Sequence, residues 1–147
     1  MNDKVKIVSE EKTANQLQVA LFGVETDSRF SLRISKPKAN EGTPLHLHTE
    51  QAETFHVVSG DFKFQVGDEI IQSKVGDTFY IPANTPHCFL NIGKSQGYLI
   101  SILTPGIHDG FIKNIPEAQQ KGATPDELSI LAEQFGVKII GPGLSSE

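Results

Sequence analysis

The feature that most constrains this chain is its rhythm. From Leu17 to Thr104, short runs rich in Val, Ile, Phe and Leu alternate with clusters of turn residues. Runs of this length, recurring about every eight to twelve residues, read as strands of a sandwich or barrel. The expected strands are Leu17–Val24, Arg29–Lys36, Pro44–His48, Thr54–Ser59, Asp61–Val66, Glu69–Ser73, Thr78–Ile81, His87–Asn91 and Gly97–Thr104. Gly67-Asp68, between FKFQV and EIIQS, signals a tight hairpin. No helical pattern separates the strands, so βαβ units are excluded and an all-β barrel or sandwich remains.

The period changes in the last third. Thr124-Pro125-Asp126-Glu127 combines a capping hydroxyl, a proline at the first helical position and a Thr-x-x-Glu capping box. Leu128, Leu131, Ala132 and Phe135 then form one apolar face, and Gly136 closes the helix. A shorter helix or pair of turns is expected within Asp109–Lys121, ended by Gly122. Two helices are too few to make a core of their own, so they are expected outside the barrel. Residues 1–14 read as a polar arm or an early edge strand.

At 147 residues the chain suits one domain, 1–147, with a barrel core over about 17–104 and a helical C-terminal extension over about 105–147. The 13 Lys and Arg residues are scattered, and the net charge is -5, so no nucleic-acid footprint is present. No apolar run reaches the ~20 residues of a membrane span, and the N-terminus lacks an apolar signal region. Cys88 is the only cysteine, which suits a reducing compartment, and a cytoplasmic location is expected.

Three of the five histidines fall into a pattern with chemistry. His46 and His48 are two apart, so on a strand both imidazoles share one face and form half of a metal site. Glu53 opens the next apolar strand, and His87 opens another after a Pro-bounded turn. Three imidazoles with one carboxylate suit Fe, Mn, Co, Ni, Cu or Zn as divalent ions, and are too soft for Ca or Mg. Four protein ligands on a six-coordinate metal leave two positions open. Glu53 has a second reading, as a base beside the metal rather than a ligand. His56 is expected to face away from Glu53, and His108 is assigned no role. Cys88 reads as a small buried apolar residue and Asn91 as a partner for backbone groups at the barrel mouth. Phe55, Val57, Phe79, Ile81 and Phe89 share the inward parity of Glu53 and His87.

The segment His46-x-His48-x4-Glu53-x6-Gly60 resembles the first motif of the cupins, and Gly76-x5-Pro82-x-Asn84-x2-His87-x3-Asn91 resembles the second. Asn84 stands where that family usually has glycine. Asn40 stands at the leading glycine of the first motif, with Gly42 nearby. Asparagine tolerates positive φ better than most residues, so the turn at Asn84 can survive, and neither departure touches a ligand. The resemblance implies a jelly-roll β-barrel with His46, His48, Glu53 and His87 as ligands to one divalent transition metal inside one mouth. The tail, from Gly106-Ile107-His108-Asp109-Gly110-Phe111 to Gly141-Pro142-Gly143-Leu144, is similar to that of small quercetin-dioxygenase-like cupins.

On this reading the protein is a metal-dependent oxygenase acting on a small chelating molecule, with Glu53 as the catalytic base. A non-catalytic binding or sensing module and a metal-assisted isomerase or lyase are the alternatives, since one barrel hosts many activities. Metal affinity is expected to fall below about pH 6.5, where free imidazole takes up a proton. A homodimer is expected, because barrels of this kind have strand edges to cover.

Overall fold

A computed structural model describes residues 5, 7–8 and 17–145 of the chain. Its elements run β1 (Leu17–Leu21), β2 (Ser31–Ser35), β3 (Leu45–His48), β4 (Ala52–Ser59), β5 (Phe62–Val66), β6 (Glu69–Gln72), β7 (Thr78–Ile81), β8 (His87–Asn91), β9 (Tyr98–Thr104), α1 (Phe111–Gln120), α2 (Pro125–Glu133) and β10 (Val137–Gly141). The strands form two five-stranded antiparallel sheets. The first has the order β1-β2-β9-β4-β7 and the second β10-β3-β8-β5-β6. This is the expected jelly roll. The expected N-terminal arm or strand lies almost wholly outside the described residues.

Alternation decides what each strand contributes. On β4, Glu53, Phe55 and Val57 are buried while His56 and Val58 are exposed. Between the sheets, Phe55, Phe62, Phe64 and Phe89 pack as one aromatic cluster, with ring centroids 5.5–6.2 Å apart and mostly edge-to-face or tilted. Val57, Ile81 and Leu99 complete this core, and Phe79 packs against its edge. All five residues of β8 are buried, including the outward Cys88. Segment 142–145 lies against that outer face, with the Leu144 backbone at the Cys88 thiol.

The turns explain the departures from the usual motif residues. Asn40 and Asn84 both adopt left-handed backbone, at φ 66 and φ 65. The strain that makes glycine common there is one that asparagine carries at low cost. Gly42 cannot be replaced so easily, since a Cβ there would collide with the Phe89 carbonyl. The β5–β6 pairing sets Val66 opposite Glu69, leaving Gly67-Asp68 as the two-residue loop, with Gly67 at φ 60.

Two expectations are corrected. The first strand ends at Leu21 rather than Val24. A 3-10 turn over Gly23–Thr26 replaces its end, held by a bond from the Phe22 amide to Glu25 Oε1 at 3.0 Å. Gly23 packs directly on the backbone of Gly106, which no strand continuing to Val24 would allow. The second correction concerns the C-terminal extension, which is not purely helical. Residues 137–141 form β10, which pairs with β3 and sets Val137 opposite His48. The helices themselves form as expected. Thr124 Oγ1 accepts from the Glu127 amide at 3.1 Å, and Gly122 and Gly136 take φ 83 and φ 69 beyond the helix ends. α2 packs on α1 and on β10, outside the two sheets.

Phe64 touches four other phenyl rings, so Phe64→Ala is expected to lower unfolding stability by about 3–5 kcal/mol, the usual cost of a large cavity in an aromatic core. Urea unfolding at neutral pH checks this, and a loss below about 1 kcal/mol would show that the cluster is not the core.

Candidate metal centre

Antiparallel register assembles the site. His46 on β3 is directly opposite His87 on β8, and His48 follows His46 on the same face. These three come from the second sheet. Glu53 comes from β4 in the first sheet and crosses the space between them. Their candidate ligand atoms all lie within 4.8 Å of one another. His48, Glu53 and His87 are buried, and His46 is half-buried at the cavity wall. All four site residues expected from the sequence are thus brought together. His56 faces outward, where its Nδ1 bonds with Thr78 Oγ1 at 2.9 Å. His108 pairs at the surface with Glu50 at 3.1 Å. Asn91 is buried and bonds the backbone of Pro37, Ser95 and Gly93.

The hydrogen bonds fix which ring nitrogens are available. His46 Nδ1 lies 2.8 Å from the Pro44 carbonyl, and His87 Nδ1 lies 2.9 Å from the Thr85 carbonyl. A carbonyl only accepts, so both Nδ1 atoms carry a proton, and a ring with no second proton presents its Nε2 lone pair. At His87 that lone pair faces Glu53 Oε1 at 3.2 Å. His48 Nε2 approaches the same oxygen at 3.1 Å, and its Nδ1 is buried without a partner. Two lone pairs at this distance repel unless a proton or a metal ion stands between them. The donor set therefore fits a divalent transition ion: imidazole nitrogens oriented by backbone carbonyls, around a shared carboxylate oxygen.

Electrostatics agree. Burial holds the His46 imidazole down at about 4, helped by the neighbouring His87 ring and opposed by the Pro44 carbonyl. His46 is therefore neutral and free to ligate over the whole physiological range. Burial alone pushes the Glu53 carboxyl up, but hydrogen bonding and charge from His48 and His87, with a proton standing between ring and carboxylate, overcome this and hold it well below the usual carboxylate range.

The cluster opens into a cavity of about 170 Å³. Its apolar walls include Phe55, Phe89, Phe111, Ile112, Val137 and Leu17. Phe111 and Ile112 belong to the first turn of α1, so that helix, though outside the sheets, covers part of the cavity. No residue on β2 stands out in the sequence, yet Arg33 reaches the same space and is only 7% exposed. Its strand reads SLRIS, and apolar alternation alone would turn Leu32 and Ile34 inward; the register does the reverse.

Comparison with known proteins places these observations. The family model described as "Cupin domain" matches residues 34–103. An uncharacterized protein of Methanocaldococcus jannaschii is 39% identical over 51 residues, which is 35% of this chain and 41% of that protein. The chain thus matches less than half of that relative's length. Among solved structures, a protein described as a predicted oxalate decarboxylase from Thermotoga maritima superposes with a TM-score of 0.58 at 16% identity. That match covers 60% of this chain and 78% of the other. An RmlC-like cupin from Shewanella frigidimarina gives a TM-score of 0.54 at 21% identity over 67% and 84% of the two chains. At these identities the structural matches speak for the fold.

The low His46 value has a consequence for the metal-free protein. Above about pH 6.5 the imidazole is neutral whether folded or unfolded. Between there and about 4 the unfolded chain binds a proton that the folded chain refuses, so stability falls as the solution is acidified. The loss is at most about 3 kcal/mol. In chelator, urea midpoints should fall from pH 7 to pH 4.5, and His46→Gln should flatten that slope. Parallel slopes in the two proteins would refute the assignment.

Proposed function

We propose that this protein, whose residues 34–103 match a cupin-domain model, binds one divalent transition metal through His46, His48, Glu53 and His87 and acts as an oxygenase on a small chelating organic molecule. What carries the reading is the convergence of His48 and His87 Nε2 on one oxygen of Glu53, with His46 beside them and the Nδ1 atoms of His46 and His87 tied to backbone carbonyls. A buried cluster of that kind calls for a proton or a metal ion between its lone pairs, and the donor set suits a transition ion. When bound, the ion supplies Lewis acidity and, if redox-active, access to dioxygen.

The chain's own residues supply the rest. Glu53 is engaged by the imidazoles through Oε1, and Oε2 has no protein hydrogen bond among the described residues. Oε2 is the group that takes the hydroxyl proton of an enol or phenol entering the cavity. Phe55 and Phe89 wall the space beside the cluster and exclude water from it. A cavity of about 170 Å³ is close to the size that accommodates benzene, so the substrate is a single ring or a short chain.

The assembly that fits this barrel is a homodimer through the outer face of the first sheet. There Leu32 pairs with Ile102 and Ile34 with Ile100, making an apolar stripe on the side opposite the cavity. Tyr80, 67% exposed, stands on the same sheet. Among the described residues no helix is long and apolar enough to cross a membrane.

Three outcomes are expected. His46→Ala, His48→Ala and His87→Ala should each lose most of the bound metal, measured by elemental analysis of tag-free protein, while the barrel stays folded. With metal saturating, Glu53→Gln should keep the ion yet lose ~10²–10⁴-fold in oxygen uptake with small enols and phenols, the usual share of acid–base catalysis. Full metal occupancy in all three histidine variants would remove the centre. Reversible binding without oxygen uptake by any compound would leave a binding module instead. For the assembly, Ile100→Glu should convert a dimer to a monomer in sedimentation at micromolar concentration, and a wild-type monomer would end that reading.

A further inference from the structure

We propose that Arg33 is the anion-recognition residue of this cavity, and that the natural ligand is a small organic acid whose oxyanion group, carboxylate or phosphate, seats on its guanidinium. The placement of the ligand's other end at the His46–His48–Glu53–His87 cluster rests on the function proposed above; the anion contact rests on Arg33 alone.

The case begins with where β2 points. Ser31 and Arg33 are buried toward the space between the sheets, and Arg33 is opposite Ser101 of β9, itself only 6% exposed. Arg33, Ser35 and Ser101 all line the cavity, so part of its wall is polar among the phenyl and aliphatic side chains that line the rest. An arginine in such a place cannot shed its charge, and burying that charge is costly unless an anion accepts its hydrogen bonds. Here none does. Among the described residues no carboxylate lies within ion-pair distance of Arg33, and its buried Nε has no hydrogen-bond partner. Glu53 and Asp109 attract it only from farther away. Glu53 Oε1 lies between His48 and His87, and Asp109 Oδ2 accepts from the Gly23 amide at 2.7 Å, while Asp109 Oδ1 is buried without a partner and is not within ion-pair distance of Arg33.

The bland reading is that Arg33 ties β2 to a neighbouring acid and merely holds the barrel. That role requires an ion pair, and Arg33 makes none with the described residues. A planar fork of donors lining the cavity, with no acid among the described residues at ion-pair distance, is an arrangement that a ligand's oxyanion completes. Charge points the same way. Arg33 and a divalent ion, set against the carboxylates of Glu53 and Asp109, leave one positive charge, which a monoanion neutralises.

The test uses the full chain, both chelator-treated and zinc-loaded, titrated calorimetrically with benzoate, phenyl phosphate and benzamide. Benzoate and benzamide are near-equal in shape and differ in charge. The wild type is expected to bind benzoate at least tenfold tighter than benzamide with or without zinc. Arg33→Gln should abolish that preference, and Arg33→Lys should keep only part of it. Phenyl phosphate binding tighter than benzoate assigns a phosphate ligand, and the reverse order assigns a carboxylate; either supports the proposal. Equal binding of benzoate and benzamide by the wild type overturns it without recourse to any variant. A benzoate preference that survives Arg33→Gln and requires zinc also overturns it, and leaves the metal reading intact. Arg33-dependent preference in a protein that binds no zinc would sustain this proposal and sink the metal reading.

Discussion

The shared oxygen of Glu53, with imidazole nitrogens on two sides, is the interaction around which the rest of this barrel is arranged. It joins the sheets at the one level where their interior is polar. Strand register makes it possible. A slip of one residue on β3 or β8 would turn His46, His48 or His87 to the outer face, because side chains alternate with a period of two. The elements around it hold that register. β10 pairs along the free edge of β3, Gly42 lets the preceding loop lie against β8, and Asn84 turns the chain so that His87 opens its strand facing inward.

Below this level the interior is given over to phenyl rings. Phe55 follows Glu53 on β4 by two residues, and Phe89 follows His87 on β8 by two, so the rings form the floor on which the polar cluster rests. The Phe55 ring centroid is 6.4 Å from that of His87. Such a floor serves both stability and chemistry. It supplies the apolar burial that holds the sheets together, and it keeps the imidazoles in a low-dielectric setting that disfavours their protonation.

Much of this was legible in the sequence, for a physical reason. Metal ligands must converge, convergence on strands demands fixed spacing, and fixed spacing is visible as His46-x-His48 and in the placing of Glu53 and His87. The helix at Thr124 was equally visible, because its cap and first turn are encoded within four residues. What stayed hidden depended on contacts distant in sequence. VKIIG carries no turn or cap that marks it as a strand, and it becomes β10 only because β3 offers an unpaired edge. Val24 belongs to an apolar run, but the close approach of Gly23 to Gly106 bends the chain first. Arg33 was hidden most completely. Its apolar neighbours Leu32 and Ile34 suggest the opposite orientation, and only pairing with β9 shows which face is inside.

That inversion on β2 bears on how the cavity works. A barrel selected for stability alone would turn Leu32 and Ile34 into the interior and leave Arg33 in water, since apolar side chains gain from burial and a guanidinium loses. The same chain also buries a carboxylate and three imidazoles that crowd one another. Two independent polar features, on different sheets, thus run against the interest of the empty fold. Proteins depart from their stability optimum at functional sites, where groups are held ready for a charge that the folded chain does not itself supply. Here the two departures differ in sign. The imidazole cluster calls for a cation and the guanidinium for an anion, and both open on one cavity of about 170 Å³. On the readings proposed above, a single small molecule with an anionic end and a metal-chelating end would satisfy both at once.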